Sequence, residues 1–202
     1  MVASDAAFRE FIEKHRISVA SLPTGFWHEL TESWKPHATP GLSANWRLAI
    51  VGGESLSAES VRIWQRMPGP KPDLLNTYGP TECTVVATTY AVPRQPERPD
   101  DSVPIGRLLP NLQARLLDSG KRPVAVGESG ELCLAGPGLA DGYLNQPKLT
   151  GEAFFLDPEK GEAGIRWYRT GDRVRLRTDG QLEFLGRIDG QVKIRGYRVE
   201  PA

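Results

Sequence analysis

The apolar positions of the first hundred residues predict helices and strands in alternation. Phe8, Phe11 and Ile12 recur at helical spacing after Ser4, which is a suitable N-cap. Further apolar runs predict strands at 17–22, 47–51 and 73–77, helices from 23 through 34 and, behind Ser57, at 58–67, and a loop at 36–41. Strands that alternate with helices are typical of a largely parallel sheet covered by helices. Such sheets bind ligands at the carboxyl ends of their strands.

The pattern changes after a polar, proline-rich stretch at 93–101. Short apolar runs separated by turn residues predict strands at 113–117, 130–135, 166–169, 174–176 and 182–188, with one helix at 148–154. Asp179-Gly180 separates the last two strands and predicts a hairpin turn. We therefore expect an antiparallel β subdomain after the α/β subdomain, with a boundary near residue 100.

Composition excludes several classes of function. The 202 residues include 25 basic and 25 acidic side chains, so the basic footprint of a nucleic-acid-binding protein is missing. No apolar run approaches the roughly 20 residues of a membrane span, and the N-terminus lacks the apolar region of a signal peptide. Two distant cysteines, Cys83 and Cys133, form neither a disulfide framework nor a cysteine zinc site. We expect a cytoplasmic protein without nucleic-acid or membrane partners.

The commonest catalytic and phosphate-binding motifs do not occur. The sequence has no GxxxxGK[ST] loop, no GxGxxG after a strand, no GxSxG and no HExxH. His15, His28 and His37 lack metal-ligand spacing, so we interpret them as surface or structural histidines.

The segment 76–82, Asn-Thr-Tyr-Gly-Pro-Thr-Glu, combines several groups that suit a nucleotide. Tyr78 offers a flat face to an aromatic ligand, and Gly79 lets the backbone approach closely. Thr81 supplies a hydroxyl, and Glu82 supplies a hard oxygen for Mg²⁺. The alternative is a purely structural strand end, closed by a Gly-Pro turn and a capping threonine.

Two later segments add a carboxylate and a guanidinium. Asp172 follows a glycine turn in 168–172 and can accept hydrogen bonds from two ribose hydroxyls. Arg187, in 186–196, can neutralise a phosphate because its planar fork matches phosphate oxygens. The alternatives are a turn aspartate and a solvated basic strand edge.

Taken in order, these segments resemble the adenylation domains of nonribosomal peptide synthetases. The matching strings are YGPTE, GELCLAGPGLADGYLNQPKLTGEAF, YRTGD and GRIDGQVKIRGYRVE, preceded by ISVASLPTGFWHEL and LAIVGGESLS. They cover about residues 8–200, and the wider group is the adenylate-forming, AMP-binding superfamily, which includes acyl-CoA synthetases and luciferases. The resemblance implies a fold of class α/β plus β. It comprises a second flavodoxin-like α/β subdomain at 1–100, a small antiparallel β-barrel-like subdomain at 101–187, and a hinge with the start of a truncated C-terminal domain at 188–202.

The resemblance also implies a reaction and its residues. The family activates a carboxylic acid with ATP and Mg²⁺ to an acyl-adenylate and then passes the acyl group to a thiol. It implies that Tyr78 stacks on adenine, that Thr81 contacts phosphate and that Glu82 binds Mg²⁺, so that Thr81 and Glu82 are the catalytic residues. The implied nucleotide-binding residues are Gly52, Gly53, Glu54, Asn76, Thr77, Tyr78, Gly79, Asp172, Phe184 and Arg187.

Within that set, the resemblance assigns Asp172 to the ribose hydroxyls and Arg187 to ribose or phosphate. Phe184 stands where the family often has tyrosine, which keeps the ring and loses the hydroxyl. Asp189 matches the hinge about which the small C-terminal domain rotates. The implied amino-acid pocket includes Ser21, Ile50, Gly52, Thr77, Val85 and Val86, although plain strand packing is an equal alternative for the two valines.

The resemblance further implies partners and omissions. A complete domain would serve a peptidyl carrier protein bearing phosphopantetheine, beside a condensation domain of the same synthetase. The family's Gly-, Ser- and Thr-rich phosphate loop, the aspartate that pairs with the substrate ammonium, and the C-terminal catalytic lysine do not occur in this sequence, and Lys193 does not match that lysine. We therefore expect a fragment of an amino-acid-activating ligase with little or no activity by itself. The alternatives are a fragment of an acyl-CoA or aryl-acid ligase, or a non-catalytic nucleotide-binding remnant.

Overall fold

The structure is a computed structural model that describes residues 4–35, 42–95, 102–156, 164–189, 192–194 and 197–199. The predicted loop at 36–41 and most of the proline-rich stretch at 93–101 lie outside these residues. The chain divides into two units. The first contains Met1–Thr77, Tyr90–Val103 and Lys193–Tyr197, and the second contains Tyr78–Thr89, Pro104–Val192 and Arg198–Ala202.

The predicted alternation of helices and strands is confirmed in the first part of the chain. Its elements are α1 (Asp5–Lys14), β1 (Val19–Pro23), α2 (Thr24–Trp34), β2 (Leu48–Gly52), α3 (Ala58–Arg66) and β3 (Asp73–Tyr78). The side chain of Ser4 caps α1 by accepting a hydrogen bond from the backbone N–H of Ala7, and Ser57 caps α3 in the same way. Strands β1, β2 and β3 are parallel neighbours, as the crossover helices require.

Aromatic side chains fill the core of the first unit. Trp27 is fully buried and meets the rings of Trp34 and Trp46 edge to face. On α1, Phe8 and Ile12 are buried four residues apart, so the buried stripe runs through them. The predicted third member of that face, Phe11, is 54% exposed and packs beside His15 instead.

The sheet continues with two further strands, β4 (Thr88–Val92) and β5 (Arg107–Leu108), and its order is β1-β2-β3-β4-β5. Strand β5 is antiparallel to β4. The prediction of a largely parallel sheet therefore applies to its first three strands.

The second unit holds the predicted antiparallel sheet. Its elements are β6 (Gln113–Leu117), β7 (Ser129–Ala135), α4 (Pro147–Ala153), β8 (Phe154–Leu156), β9 (Arg166–Leu176) and β10 (Leu182–Arg187). The strand order is β10-β9-β7-β6, with β8 paired to β9, and every pair is antiparallel. Over the described residues this sheet is open, so the barrel-like subdomain is not a closed barrel. The Asp179-Gly180 hairpin between β9 and β10 is confirmed, and Gly180 adopts a positive φ of 79° there.

One detail of this half differs from the prediction. The runs at 166–169 and 174–176 belong to one continuous strand, β9, rather than to two. The segment Tyr78–Thr89 groups with the second unit. The domain bounds 1–100, 101–187 and 188–202 stay a prediction. In the last of these, β11 (Val192–Ile194) and β12 (Tyr197–Val199) form a two-stranded sheet.

Candidate functional site

The candidate site in the second unit begins where β3 ends at Tyr78. Gly79 and Pro80 lead from there into a single 3-10 turn at Thr81–Cys83. A Cβ atom on Gly79 would lie 2.6 Å from both the backbone nitrogen of Ala87 and the backbone oxygen of Val85. Because glycine has no Cβ, the chain can fold back here, and the N–H of Ala87 donates to the carbonyl oxygen of Tyr78 at 2.8 Å.

The side chain of Tyr78 connects the first predicted segment to the second. Its hydroxyl donates to Oδ2 of Asp172 at 2.5 Å, across 94 positions of sequence. Asp172 is only 7% exposed, and its Oδ1 accepts a hydrogen bond from Arg187 at 2.9 Å. The ring of Phe184 lies 6.4 Å from that of Tyr78, centroid to centroid. The structure thus brings four of the predicted nucleotide-binding side chains into one cluster.

Arg187 lies on β10 and makes most of the hydrogen bonds of this cluster. It faces Asp172 across the β9–β10 pair, beside a register shift between Phe184 and Arg187. Besides Asp172, it donates to the carbonyl oxygen of Thr170 at 2.6 Å and, through two nitrogens, to both carboxylate oxygens of Asp189. The predicted hinge residue is therefore ion-paired to a predicted nucleotide-binding residue.

The position of Asp172 corrects one expectation. We predicted that it follows a glycine turn, but Gly171 and Asp172 lie inside β9. Gly171 has a φ of 69°, and a Cβ on it would approach a guanidinium nitrogen of Arg187 to 2.8 Å. Glycine is needed here because the strand distorts to admit the arginine, and the turn-aspartate interpretation is wrong.

Two side chains of this cluster, Tyr78 and Arg187, have shifted pKa values. Burial, together with the negative charge of Asp172 beside it, raises the pKa of Tyr78 well above its usual range. Burial alone would lower the pKa of Arg187, but its bonds to Asp189 and the charge of Asp172 raise it overall. Tyr78 therefore remains a hydrogen-bond donor, and Arg187 remains a cation.

A second carboxylate, Glu82, lies in the 3-10 turn and is 7% exposed. Its Oε1 accepts a hydrogen bond from the hydroxyl of Tyr143 at 2.7 Å. Thr81, at the start of the turn, is exposed. Tyr143 is not among the predicted site residues, although it lies in the longest string shared with the family.

Apart from Val85 and Val86, the remaining predicted nucleotide and pocket residues lie in the first unit, most of them on neighbouring parallel strands. Ser21 pairs with Ile50, and Gly52 pairs with Thr77. A Cβ on Gly52 would clash with the hydroxyl oxygen of Thr77, so these two strands are in close contact. Of the other predicted residues, Asn76 is buried on β3, while Gly53 and Glu54 follow β2 directly.

Val85 and Val86 lie in the loop before β4, in the second unit. Val85 is 70% exposed and has a φ of 69°. The alternative of plain strand packing is therefore wrong for both valines, because neither lies in a strand. Their role as pocket residues stays a prediction.

The described residues contain no group of three or more metal-ligating side chains and no helix that is long and apolar enough to span a membrane.

His28 has a structural role, as predicted, because its Nε2 accepts a hydrogen bond from the backbone N–H of Ser57 at 3.0 Å. Burial lowers the pKa of His28, which keeps it neutral and able to accept. His37 lies outside the described residues.

Cys83 and Cys133 form no disulfide, and both are buried, with exposures of 2% and 0%. Burial raises the pKa of each thiol to about 12, so the reactive thiolate is scarce at neutral pH. We expect both thiols to react with a disulfide reagent at pH 8 at least about 100-fold more slowly in the folded protein than in denaturant. One thiol equivalent that reacts at the denatured rate without denaturant would contradict this burial.

Comparison with known proteins shows the family of this chain. The model of the AMP-binding enzyme family matches residues 1–144, and the chain belongs to that family. It is 44% identical over 192 residues to novobiocin biosynthesis protein H of Streptomyces niveus, a match that covers 95% of this chain and 29% of that protein. It is 40% identical over 194 residues to bacitracin synthase 1 of Bacillus licheniformis, a match that covers 95% of this chain and 4% of that protein.

The fold also matches solved structures. One is a nonribosomal peptide synthetase protein that contains adenylation and PCP domains, bound to a vinylsulfonamide inhibitor. It superimposes with a TM-score of 0.82 at 33% identity, over 96% of this chain and 33% of that one. The predicted resemblance to nonribosomal peptide synthetase adenylation domains is therefore confirmed, and the chain spans about a third or less of the proteins it matches.

Proposed function

We propose that this chain forms part of an amino-acid adenylation domain. In the proposed reaction, a carboxylate oxygen of the amino acid attacks the α-phosphorus of ATP, the bond to the β-phosphate oxygen breaks, and pyrophosphate leaves. The phosphopantetheine thiol of a carrier protein then attacks the carbonyl carbon of the adenylate. The bond from that carbon to the phosphate oxygen breaks, AMP leaves, the thiol proton is released, and a thioester forms. The single observation that carries the proposal is the hydrogen-bonded cluster of Tyr78, Arg187 and the buried Asp172.

This cluster suits the nucleoside part of ATP. The rings of Tyr78 and Phe184 offer aromatic surface for a purine. The carboxylate of Asp172 has about four lone-pair positions, of which Tyr78 and Arg187 use one on each oxygen. Asp172 can therefore accept from ribose hydroxyls without giving up its protein partners. Arg187 adds a permanent positive charge, which favours the phosphate-bearing end of the ligand.

Glu82 is the proposed Mg²⁺ ligand, and its chemistry fits that ion. Mg²⁺ in nucleotide sites is usually bound by one or two carboxylates, with substrate phosphates and water filling the other positions. A single buried carboxylate beside an exposed threonine hydroxyl meets that requirement, and no three-ligand cage is needed. When bound, the ion would neutralise phosphate charge, while Glu82 fixes its position and Thr81 donates to a phosphate oxygen.

The same proposal includes the amino-acid pocket and the carrier partner. The pocket residues on β1, β2 and β3 are mostly small or apolar, and Ser21 and Thr77 add two hydroxyl groups. The carrier partner is supported by the solved peptide synthetase protein that contains both adenylation and PCP domains. A condensation domain of the same synthetase is the further proposed partner.

The test is ATP–pyrophosphate exchange by the native polypeptide that carries this sequence, with its intact mass measured first. Each amino acid is supplied in turn, together with panels of aryl and fatty acids. We expect exchange that depends on one or a few amino acids, and little or none from residues 1–202 alone. Exchange that requires an aryl or fatty acid would instead support the acyl-CoA or aryl-acid ligase alternative. Nucleotide binding without exchange by the native polypeptide would support the non-catalytic remnant.

A further inference from the structure

Residues 136–146, GPGLADGYLNQ, contribute no group to the proposed reaction, yet they lie against the turn that carries Glu82. We call these residues the clasp loop. The backbone N–H of Ala140 donates to the carbonyl oxygen of Glu82 at 2.8 Å, and the hydroxyl of Thr84 donates to the carbonyl oxygen of Gly138 at 2.8 Å. The third bond is the one from the Tyr143 hydroxyl to the Glu82 carboxylate at 2.7 Å. Both the backbone and the side chain of Glu82 are thus held from one loop.

The clasp loop is also bonded to Arg166 of β9. The guanidinium of Arg166 donates to the carbonyl oxygens of Ala140 at 2.6 Å and Asp141 at 2.7 Å, and it lies 4.3 Å from the ring centre of Phe154. Arg166 lies on β9 and Phe154 lies on β8, so these two strands hold the loop in place.

Both the backbone and the ring of Tyr143 are held in place. Its backbone N–H donates to the hydroxyl of Thr150 at 2.9 Å. Its ring meets Phe154 edge to face, with centroids 5.9 Å apart. Gly142 has a φ of 146°, and a Cβ atom on it would lie 2.5 Å from the side chain of Thr150. Glycine is therefore required at this position. These contacts hold the ring of Tyr143 in place, with its hydroxyl bonded to the Glu82 carboxylate.

A hydrogen bond to a carboxylate is charge-assisted and stronger than one between neutral groups. It also uses only one of the roughly four lone-pair positions of the carboxylate. Tyr143 can therefore hold Glu82 in one rotamer and still leave the carboxylate able to bind a cation. Without this bond, a glutamate side chain with three rotatable bonds would have to be ordered when the ion arrives.

We propose that Tyr143 is a positioning residue that orients the Glu82 carboxylate for Mg²⁺. This inference rests on the proposed function of Glu82 as a metal ligand. It assigns a role to the clasp loop, which acts through Glu82 and does not contact the reacting atoms.

The test measures metal binding directly in the native polypeptide. Mn²⁺ serves as the probe and is followed by electron paramagnetic resonance in the presence of α,β-methylene-ATP, which is not cleaved at the α–β bond. We expect Tyr143→Phe, which removes only the hydroxyl, to raise the Kd for Mn²⁺ about 10-fold. The Mg²⁺ concentration for half-maximal exchange should rise in parallel. The matched control is Tyr168→Phe, because Tyr168 also packs on Phe154; it should leave the Kd unchanged.

A double-mutant cycle with Glu82→Gln separates this inference from the proposed function. If Tyr143 acts through Glu82, Tyr143→Phe has no further effect on the Kd once Glu82→Gln is present. If Glu82→Gln weakens Mn²⁺ binding and Tyr143→Phe does not, the positioning role is wrong and the metal role stands. If Glu82→Gln itself leaves the Kd unchanged, both fail. Should Tyr143→Phe not fold, Thr150→Val, which loosens the backbone of Tyr143, must raise the Kd in the same direction, and an unchanged Kd would overturn the inference.

Discussion

Replacement of Asp172 by asparagine is expected to raise the Kd for ATP by about 10- to 100-fold, because a hydrogen bond to a charged group is worth about 1.5–3 kcal/mol. Asparagine has nearly the same shape, and its amide can still bond to Tyr78 and Arg187. The substitution removes the negative charge and one of the two carboxylate oxygens that would accept hydrogen bonds from the ribose hydroxyls. The free energy of unfolding should fall by about 2 kcal/mol. This is less than the 3–5 kcal/mol typical of a broken buried ion pair, because Arg187 keeps its bonds to Asp189 and Thr170.

The same two strands offer a matched control for this prediction. Glu183 on β10 is 6% exposed and pairs with Arg175 on β9 at 2.6 Å, so it is also a buried carboxylate paired with an arginine. Glu183→Gln should lower the free energy of unfolding by a similar amount and leave the Kd for ATP unchanged. Calorimetric titration with ATP and urea unfolding of the native polypeptide measure the two quantities. Equal Kd values for Asp172→Asn and Glu183→Gln would show that the cluster is a structural ion pair only.

Local patterns were sufficient to predict most helices and strands of the chain. Ser4 and Ser57 mark helix starts because a serine side chain satisfies an otherwise unpaired backbone N–H. Phe11 shows the limit of this reasoning. It has helical spacing with two buried residues, but the partners that decide which side of α1 is covered come from elsewhere in the chain.

The candidate cluster could be predicted as three separate segments but not as one arrangement. The bond between Tyr78 and Asp172 joins residues 94 positions apart, and no local pattern encodes such a contact. The continuity of β9 was missed because Thr170-Gly171-Asp172 has the composition of a turn. In the structure, a positive φ at Gly171 lets the strand pass Arg187 without breaking. Tyr143 was missed because a tyrosine in a loop carries no chemical signal until its acceptor is known.

Substitution of Gly79 by alanine is the most damaging small change we expect in the second unit. The added methyl group would lie 2.6 Å from two backbone atoms, which cannot rotate away as a side chain can. The turn must open, and the 2.8 Å bond between Ala87 and Tyr78 must lengthen. We expect the free energy of unfolding to fall by about 3 kcal/mol, at the upper end of typical overpacking costs. In a unit of about 100 residues, Tm should fall by about 12 °C or more.

Gly151 provides the control for this substitution, because a Cβ there meets nothing within 4 Å and the residue lies in α4. Gly151→Ala should raise the free energy of unfolding by up to about 1 kcal/mol, since alanine favours the helix. Calorimetry of both variants gives two Tm shifts of opposite sign if the close approach at Gly79 is real.

Gly79→Ala should also weaken ATP binding, because opening the turn moves the ring of Tyr78 away from Phe184 and its hydroxyl away from Asp172. A Gly79→Ala variant with an unchanged Tm would mean that the turn has room for a side chain, and glycine would then be needed there only for contact with a ligand.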